Sequence, residues 1–312
     1  MATRPLYERV NPWWGPARVP FLLLTPACMA MAVSWCWWQA RLQGGAFDGV
    51  SALLAVLGAL AAHLGVNALN EHHDFRSGLD ARAQRTPFSG GSGVLPARPD
   101  LAPVALVMGV GALGLTALIG LYFLWRQPDL WWRLAPLGAM GLVLVVTYTP
   151  WVTRQPWLCL VAPGLGFGPL MGLGTMAVLL PGPWQAADLA WTWLPFCLVN
   201  NLLLLNQFPD VAADRAVGRR TLPMVLGRPA ATRVLGLQYV AAYAGLLAGV
   251  LWQLWPAASL LGLLTAPMAA RAWWVAREQA DRVEGLLPAM GLNVGVSLLT
   301  PVLAAVGLFL AG

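Results

Sequence analysis

Apolar residues run along this chain in long unbroken stretches, not in alternation, and polar residues gather in a few short intervals. Runs of this kind point to helices, and a helix needs about 20 apolar residues to cross a bilayer. Nine such stretches fall near 18–38, 46–69, 101–125, 132–152, 157–180, 188–207, 232–253, 255–274 and 287–311. The seventh and eighth are divided only by a short turn between Trp252 and Pro256. Within lipid, only helices and closed barrels satisfy their own backbone, so the pattern predicts an all-α membrane protein with nine transmembrane helices in a single domain over 1–312. The two longest polar intervals, 70–100 and 208–231, follow the second and sixth stretches. Four helices apart, they leave the bundle on the same side, which is the pattern of a weak internal repeat. Long loops in a compact fold tend to carry function, and both are expected to cap the bundle.

Composition supports the membrane assignment. Of 312 residues, 58% are hydrophobic and 10% charged, against about a quarter charged in soluble domains. The net charge is +6, and the basic residues are arginines throughout, with no lysine. In a membrane protein this charge reads as the positive-inside bias of its loops, and no nucleic-acid partner is expected. With the N-terminus inside, sixteen of the 19 basic residues fall on the inner side and only Arg41, Arg126 and Arg133 on the outer. A cytoplasmic N-terminus, an outer C-terminus and a bacterial plasma membrane are the corresponding expectations. Cys28, Cys36, Cys159 and Cys197 sit in apolar segments without paired spacing, so they read as small buried residues. The first apolar run is long enough to span and carries Trp35, Trp37 and Trp38 as an interfacial anchor, so no cleavable signal peptide is expected.

Chemistry concentrates where the second and sixth helices end. In HLGVNALNEHHDFRSGLD, His63, Asn67, Asn70, Glu71 and Asp74 recur at spacings of three and four, which puts them on one face if the helix continues through them. In NQFPDVAAD, Asn206, Asp210 and Asp214 follow one another at i, i+4. Both motifs contain Asn-x-x-x-Asp, and five of the 13 acidic residues (Glu71, Asp74, Asp80, Asp210 and Asp214) lie in them. Carboxylates gathered so closely repel one another unless a cation lies between them. Hard oxygen donors suit Mg2+, which commonly bridges carboxylates to phosphate oxygens. Two facing motifs of this kind are therefore candidates to hold Mg2+ against a diphosphate. Solvated, capped helix ends would explain either motif alone but not the pair.

The pair NALNEHHDFRSGLD and NQFPDVAADRAVGRRTLP resembles the two aspartate-rich motifs of the UbiA superfamily of intramembrane prenyltransferases. TPFSGGSGVLP (86–96), YTP (148–150) and GLGFGPLMGLG (164–174) resemble the family too, the last two its menaquinone-biosynthetic branch. The resemblance covers nearly the whole chain. It implies nine helices around a central cavity and Mg2+-dependent transfer of a prenyl group from a prenyl diphosphate to an aromatic acceptor. It also places Asn70, Asp74, Asn206, Asp210 and Asp214 at the metal–diphosphate site, with Glu71 and Asp80 in support. Many members have Asp where Glu71 stands, and the benzoate-prenylating branch has Asp where Gly78 stands. Pro209, just before Asp210, is expected to kink the helix or start a new one.

Basic and aromatic neighbours extend the candidate set. A guanidinium fork suits phosphate oxygens, and Arg82, Arg85, Arg154, Arg215, Arg219 and Arg220 lie beside the carboxylates or on their side of the membrane. Asn67 shares their face, and Gly90, Gly91 and Gly93 offer backbone amides to phosphate. Tyr148, Phe167 and Phe208 are candidates to face an allylic cation. His63, His72 and His73 read as polar lining or hydrogen-bond partners, not as a zinc set. The Gly78/Asp80 spacing and the glycine-rich stretch favour a naphthoate acceptor by resemblance; hydroxybenzoate, homogentisate-like and tetrapyrrole acceptors are the alternatives. A transporter would require polar residues through several helices, which this chain lacks, and a catalytically silent lipid- or quinone-binding scaffold would not require intact Asp74, Asp210 and Asp214.

Overall fold

The computed structural model describes residues 12–88, 91–180 and 182–312, so the readings that fall on Arg4, Arg9 and Gly90 lie outside the described residues. Among the described residues the chain is helical, with no strand. The long helices are α1 (Leu24–Leu42), α2 (Gly49–Ser77), α3 (Ala102–Arg126), α4 (Trp131–Tyr148), α5 (Pro156–Leu179), α6 (Trp193–Ala216), α7 (Arg228–Leu251), α8 (Ala257–Thr265 continuing through Ala266–Glu278) and α9 (Val283–Leu310). Eight of these, with the short turns that lead into some of them, are long and apolar enough to cross a membrane. The protein is thus a multi-pass membrane protein. The exception is α8, which begins as a 3-10 helix before becoming α-helical. In that tighter part the hydroxyls of Ser259 and Thr265 donate to carbonyls three residues back, each at 2.8 Å.

Helix order around the bundle sets where space remains. α1 packs on α9, α2 and α5, α2 runs along α3, and α6 contacts α5, α7 and α9, with α8 wedged between α7 and α9. The largest core cluster fills the side built from α1 and α6 to α9, around Trp35, Trp191, Leu198, Tyr239 and Met290. Among the described residues Trp255 Nε1 in this core has no hydrogen-bond partner, whereas Asn201, Tyr239 and Asn293 form a matched set. Asn293 donates to the Asn201 carbonyl (2.9 Å), Asn201 to that of Leu235 (3.0 Å), and Tyr239 to the Asn293 side chain (2.6 Å). Because that core fills this half, the cavity is lined by α2, α4, α5 and α6 with their connecting segments and the first residue of α1, and not by all nine helices.

Local sequence explains the shape of the lining helices. Asp48 caps α2, accepting from the backbone and hydroxyl of Ser51 at 3.0 and 2.7 Å. α2 then continues to Ser77 and stops at Gly78, whose φ of +74° suits glycine. The first motif therefore lies on helix, and the interval expected to loop from 70 does so only from 78. α6 likewise runs to Ala216 with Pro209 inside it, so Pro209 starts no new helix. In α5, Pro163 precedes a π-helical turn at Gly166–Leu170 and Pro169 lies within it, where the wider winding absorbs its missing N–H. The glycine-rich stretch brings α5 onto α6: a Cβ on Gly164 would lie 2.3 Å from the Phe196 carbonyl, and one on Gly168 2.6 Å from that of Thr192.

Candidate active site

A cavity of about 240 Å³ opens where α2 and α6 end. Its inner wall is apolar, built from Leu24, Val66, Leu144, Phe167, Met171, Leu202 and their neighbours. Its mouth is polar. Asn67, Asn70 and Asp74 line it from α2, Asn206, Gln207, Asp210 and Asp214 from α6, and Arg18, Arg219 and Thr221 from the connecting segments. The i, i+4 spacing on α6 and the i, i+3, i+4 spacing on α2 are what bring each set to one face. Both motifs thus meet at one site, as the sequence predicts.

The two sides are bridged by Arg219, which follows α6 across Gly218. Its Nη2 donates to Asp74 Oδ1, and its Nη1 to Asp214 Oδ1 at 3.3 Å. Both carboxylates are buried, each at 3% exposure, so this pairing is shielded from solvent. Burial works against the charge of Arg219, yet the Asp74 and Asp214 carboxylates outweigh it and hold its pKa above the ordinary arginine value. Among the described residues Asp210 has no such partner. Its Oδ1, Asn206 Oδ1 and Gln207 Oε1 are buried without a hydrogen bond from the described residues.

Glu71 and Asp80 stand apart from the cavity lining. Glu71 is fully buried, and both its oxygens are engaged: Oε1 accepts from Arg18 Nε (2.5 Å) and Ser92 N (2.7 Å), Oε2 from Ser92 Oγ (2.8 Å). Asp80, two residues past the turn at Gly78, is buried with neither oxygen hydrogen-bonded among the described residues. Burial, and then the charges of Glu71 and Asp74, push its carboxyl up to about 7. Arg82, Arg85, Arg154, Arg215 and Arg220 are exposed and outside the lining. Of the aromatic candidates, Tyr148 and Phe167 face the cavity, whereas Phe208 is wholly buried in the main core. His63 lines the cavity and bonds Thr25 Oγ1 at 2.8 Å, and His72 and His73 donate to backbone carbonyls. The four cysteines are buried and unpaired.

Sequence reasoning missed Arg18, Phe21, Phe88 and Gln207. Arg18 reaches Glu71 across 53 positions and adopts a left-handed backbone (φ +48°), which the pair over-determines. Nothing in the local sequence signals a contact at that separation. Gln207 stands beside Asn206 at a position that the i, i+4 pattern skips.

The donors at the mouth are hard oxygens, the set that suits Mg2+. Among the described residues no three His, Cys, Asp or Glu converge as a ready-made cage. The unpartnered oxygens of Asp210 and Asn206 fit an ion that takes its remaining ligands from water and phosphate. Asp74, Asp210 and Asp214 with Asn70 and Asn206 are the residues that would hold it.

Known proteins match this architecture. The chain is 25% identical to the 1,4-dihydroxy-2-naphthoate octaprenyltransferase of Escherichia coli K12, over 99% of this chain and 98% of that one. It is 28% identical to the protein of the same name from Mycobacterium tuberculosis, over 82% and 84%. A UbiA homolog from Aeropyrum pernix K1 superposes with a TM-score of 0.62 at 16% identity, covering 91% of this chain and 97% of that one, which shows the shared fold. The model of the UbiA prenyltransferase family matches residues 23–287 and so takes in both acidic motifs and every helix that lines the cavity. On the strength of that match, the chain belongs to the UbiA prenyltransferase family.

Proposed function

We propose that this protein transfers a prenyl group from a polyprenyl diphosphate to an aromatic acceptor of the 1,4-dihydroxy-2-naphthoate kind, with Mg2+ as cofactor. The observation that carries the reading is the pairing of two oxygen-rich motifs at the polar mouth of an apolar cavity, with Asp210 and Asn206 oxygens left unpartnered. The relatives named for that acceptor support its choice.

When bound, Mg2+ supplies Lewis-acid stabilisation of the departing diphosphate. Asp74, Asp210 and Asp214, with Asn70 and Asn206, would hold the ion that neutralises the diphosphate end. The apolar wall takes the start of the prenyl tail and excludes water from the electron-deficient C1. Tyr148 and Phe167 present ring faces to that carbon. An electron-rich ring carbon of the acceptor bonds to C1 as the C–O bond breaks and its electrons leave with the diphosphate. A proton, or carbon dioxide from a carboxylated position, then leaves the ring and restores aromaticity. Arg82, Arg85, Arg154, Arg215 and Arg220 stand around the mouth as the outer basic field that draws the diphosphate in. The arginine excess favours placing this mouth, with the N-terminus, on the cytoplasmic side of a bacterial plasma membrane, the C-terminus lying outside.

The test incubates purified protein with geranylgeranyl diphosphate and a panel of aromatic acceptors, with Mg2+ or with EDTA, and reads products by mass spectrometry. A prenylated naphthoquinol formed only with Mg2+ is expected, and it disappears in Asp74→Ala and Asp210→Ala. Full turnover in both variants would sink the assignment.

A further inference from the structure

Arg219 stands where a cation linking the two motifs would stand. Its guanidinium lies between Asp74, on α2, and Asp214, on α6, and hydrogen-bonds an oxygen of each. It is 14% exposed in its side chain, against 5% for each partner, so the three charges form one shielded cluster. Oxygens so engaged have fewer lone pairs free for a metal, and a positive charge between them repels a second cation. Arg219 sits in the connection after α6, behind Gly218 at φ +78°, and not on a helix. The other oxygen-bearing groups of the second motif, Asp210 and Asn206, have unengaged oxygens.

We infer that Arg219 is an exchangeable internal counter-ion. It holds the two motifs together, competes with divalent metal for Asp74 and Asp214, and yields only when metal arrives with a diphosphate that gives the released guanidinium a new partner. Metal alone must displace Arg219 without compensating it. A metal–diphosphate pair supplies the guanidinium with phosphate oxygens, for which its fork is well matched. Metal and prenyl diphosphate therefore bind cooperatively, and free metal binds weakly. The inference rests on the metal–diphosphate reading of the site and adds the order in which the site is filled.

The experiment measures Mn2+ binding by electron paramagnetic resonance, using purified protein in detergent, with and without a non-reactive thio-analogue of geranylgeranyl diphosphate. Wild-type protein is expected to bind Mn2+ at least about tenfold more tightly with the analogue than without. In Arg219→Gln, binding without the analogue tightens by a similar factor and the gain from the analogue shrinks. Arg219→Lys keeps the charge but lacks the fork, and falls between the two. Thermal midpoints give a second readout that a purely structural role would not produce. Mg2+ alone restores the midpoint lost in Arg219→Gln, and leaves the wild type unchanged. Equal Mn2+ affinity in wild type and Arg219→Gln without the analogue would overturn the competition. If none of the proteins bound Mn2+ even with the analogue, this inference and the metal–diphosphate reading beneath it would both fall.

Discussion

Glu71 and Asp80 belong to the same acidic run as Asp74, yet their surroundings differ. Glu71 accepts from Arg18 and from the backbone and hydroxyl of Ser92, tying the start of the chain and the segment after α2 to the helix that carries the first motif. Removing one member of a buried ion pair typically destabilises by about 3 kcal/mol or more. Glu71→Gln is accordingly expected to lower the thermal midpoint in detergent markedly, while Mn2+ binding in the presence of a prenyl diphosphate analogue persists in the folded fraction. Loss of that binding at an unchanged midpoint would make Glu71 a metal ligand instead. Asp80, raised to about 7 by burial and then by Glu71 and Asp74, has a pH signature of its own. A carboxyl whose folded pKa exceeds its unfolded value binds its proton more tightly in the folded protein. Its contribution is therefore lost as pH rises between about 4 and its folded pKa. In EDTA, Asp80→Asn should be more stable than wild type at pH 8, and the two should converge below about pH 4. Midpoints that stay parallel across this range would show that Asp80 does not titrate there.

The contact between α5 and α6 is where one element positions the other, since α6 carries the second motif and α5 carries Phe167 and the π turn. A methyl group on Gly164 would meet the Phe196 carbonyl at 2.3 Å and Asn200 Oδ1 at 2.4 Å, both held within α6. Gly164→Ala must push the helices apart, and overpacking of this kind costs about 1–3 kcal/mol. It should lower both the midpoint and the yield of prenylated product. Gly174→Ala, with nothing within 4 Å, should change neither and serves as the control. The elements themselves were largely legible, because bilayer-length apolar runs leave little choice but helix. Their ends were not. Polar residues from Asn70 and from Phe208 onward read as loop, although both stretches are helix whose polar face lines the mouth. The motif residues were legible through their spacing, whereas Arg18 and the bridging position of Arg219 depend on which segments meet across the cavity. Nearness to a motif in sequence does not fix helix rotation, and the ring of Phe208 turns to the core and away from the cavity.

At the scale of the whole molecule, the two ends of the bundle differ in charge. The end with the cavity mouth carries exposed Arg76, Arg82, Arg85, Arg154, Arg215 and Arg220, while at the other Arg126 pairs with Asp48 and Arg133 lies over Trp132 and Trp184. Arginines close to membrane-spanning ends are retained on the cytoplasmic side, so this asymmetry predicts an orientation as well as a fold. The native cysteines are all buried, which leaves a low background for a labelling experiment. Single cysteines introduced at Gly45, on the loop between α1 and α2, and at Arg82, beside the mouth, report opposite ends. In intact cells a membrane-impermeant maleimide is expected to label the Gly45→Cys protein at once, and the Arg82→Cys protein only after permeabilisation. This orientation puts the carboxylates where a charged diphosphate head can approach from the cytoplasm while its tail stays in lipid. Immediate labelling of Arg82→Cys would place the mouth on the outer face, and the arginines around it would then have to be retained for anion binding against the topological rule.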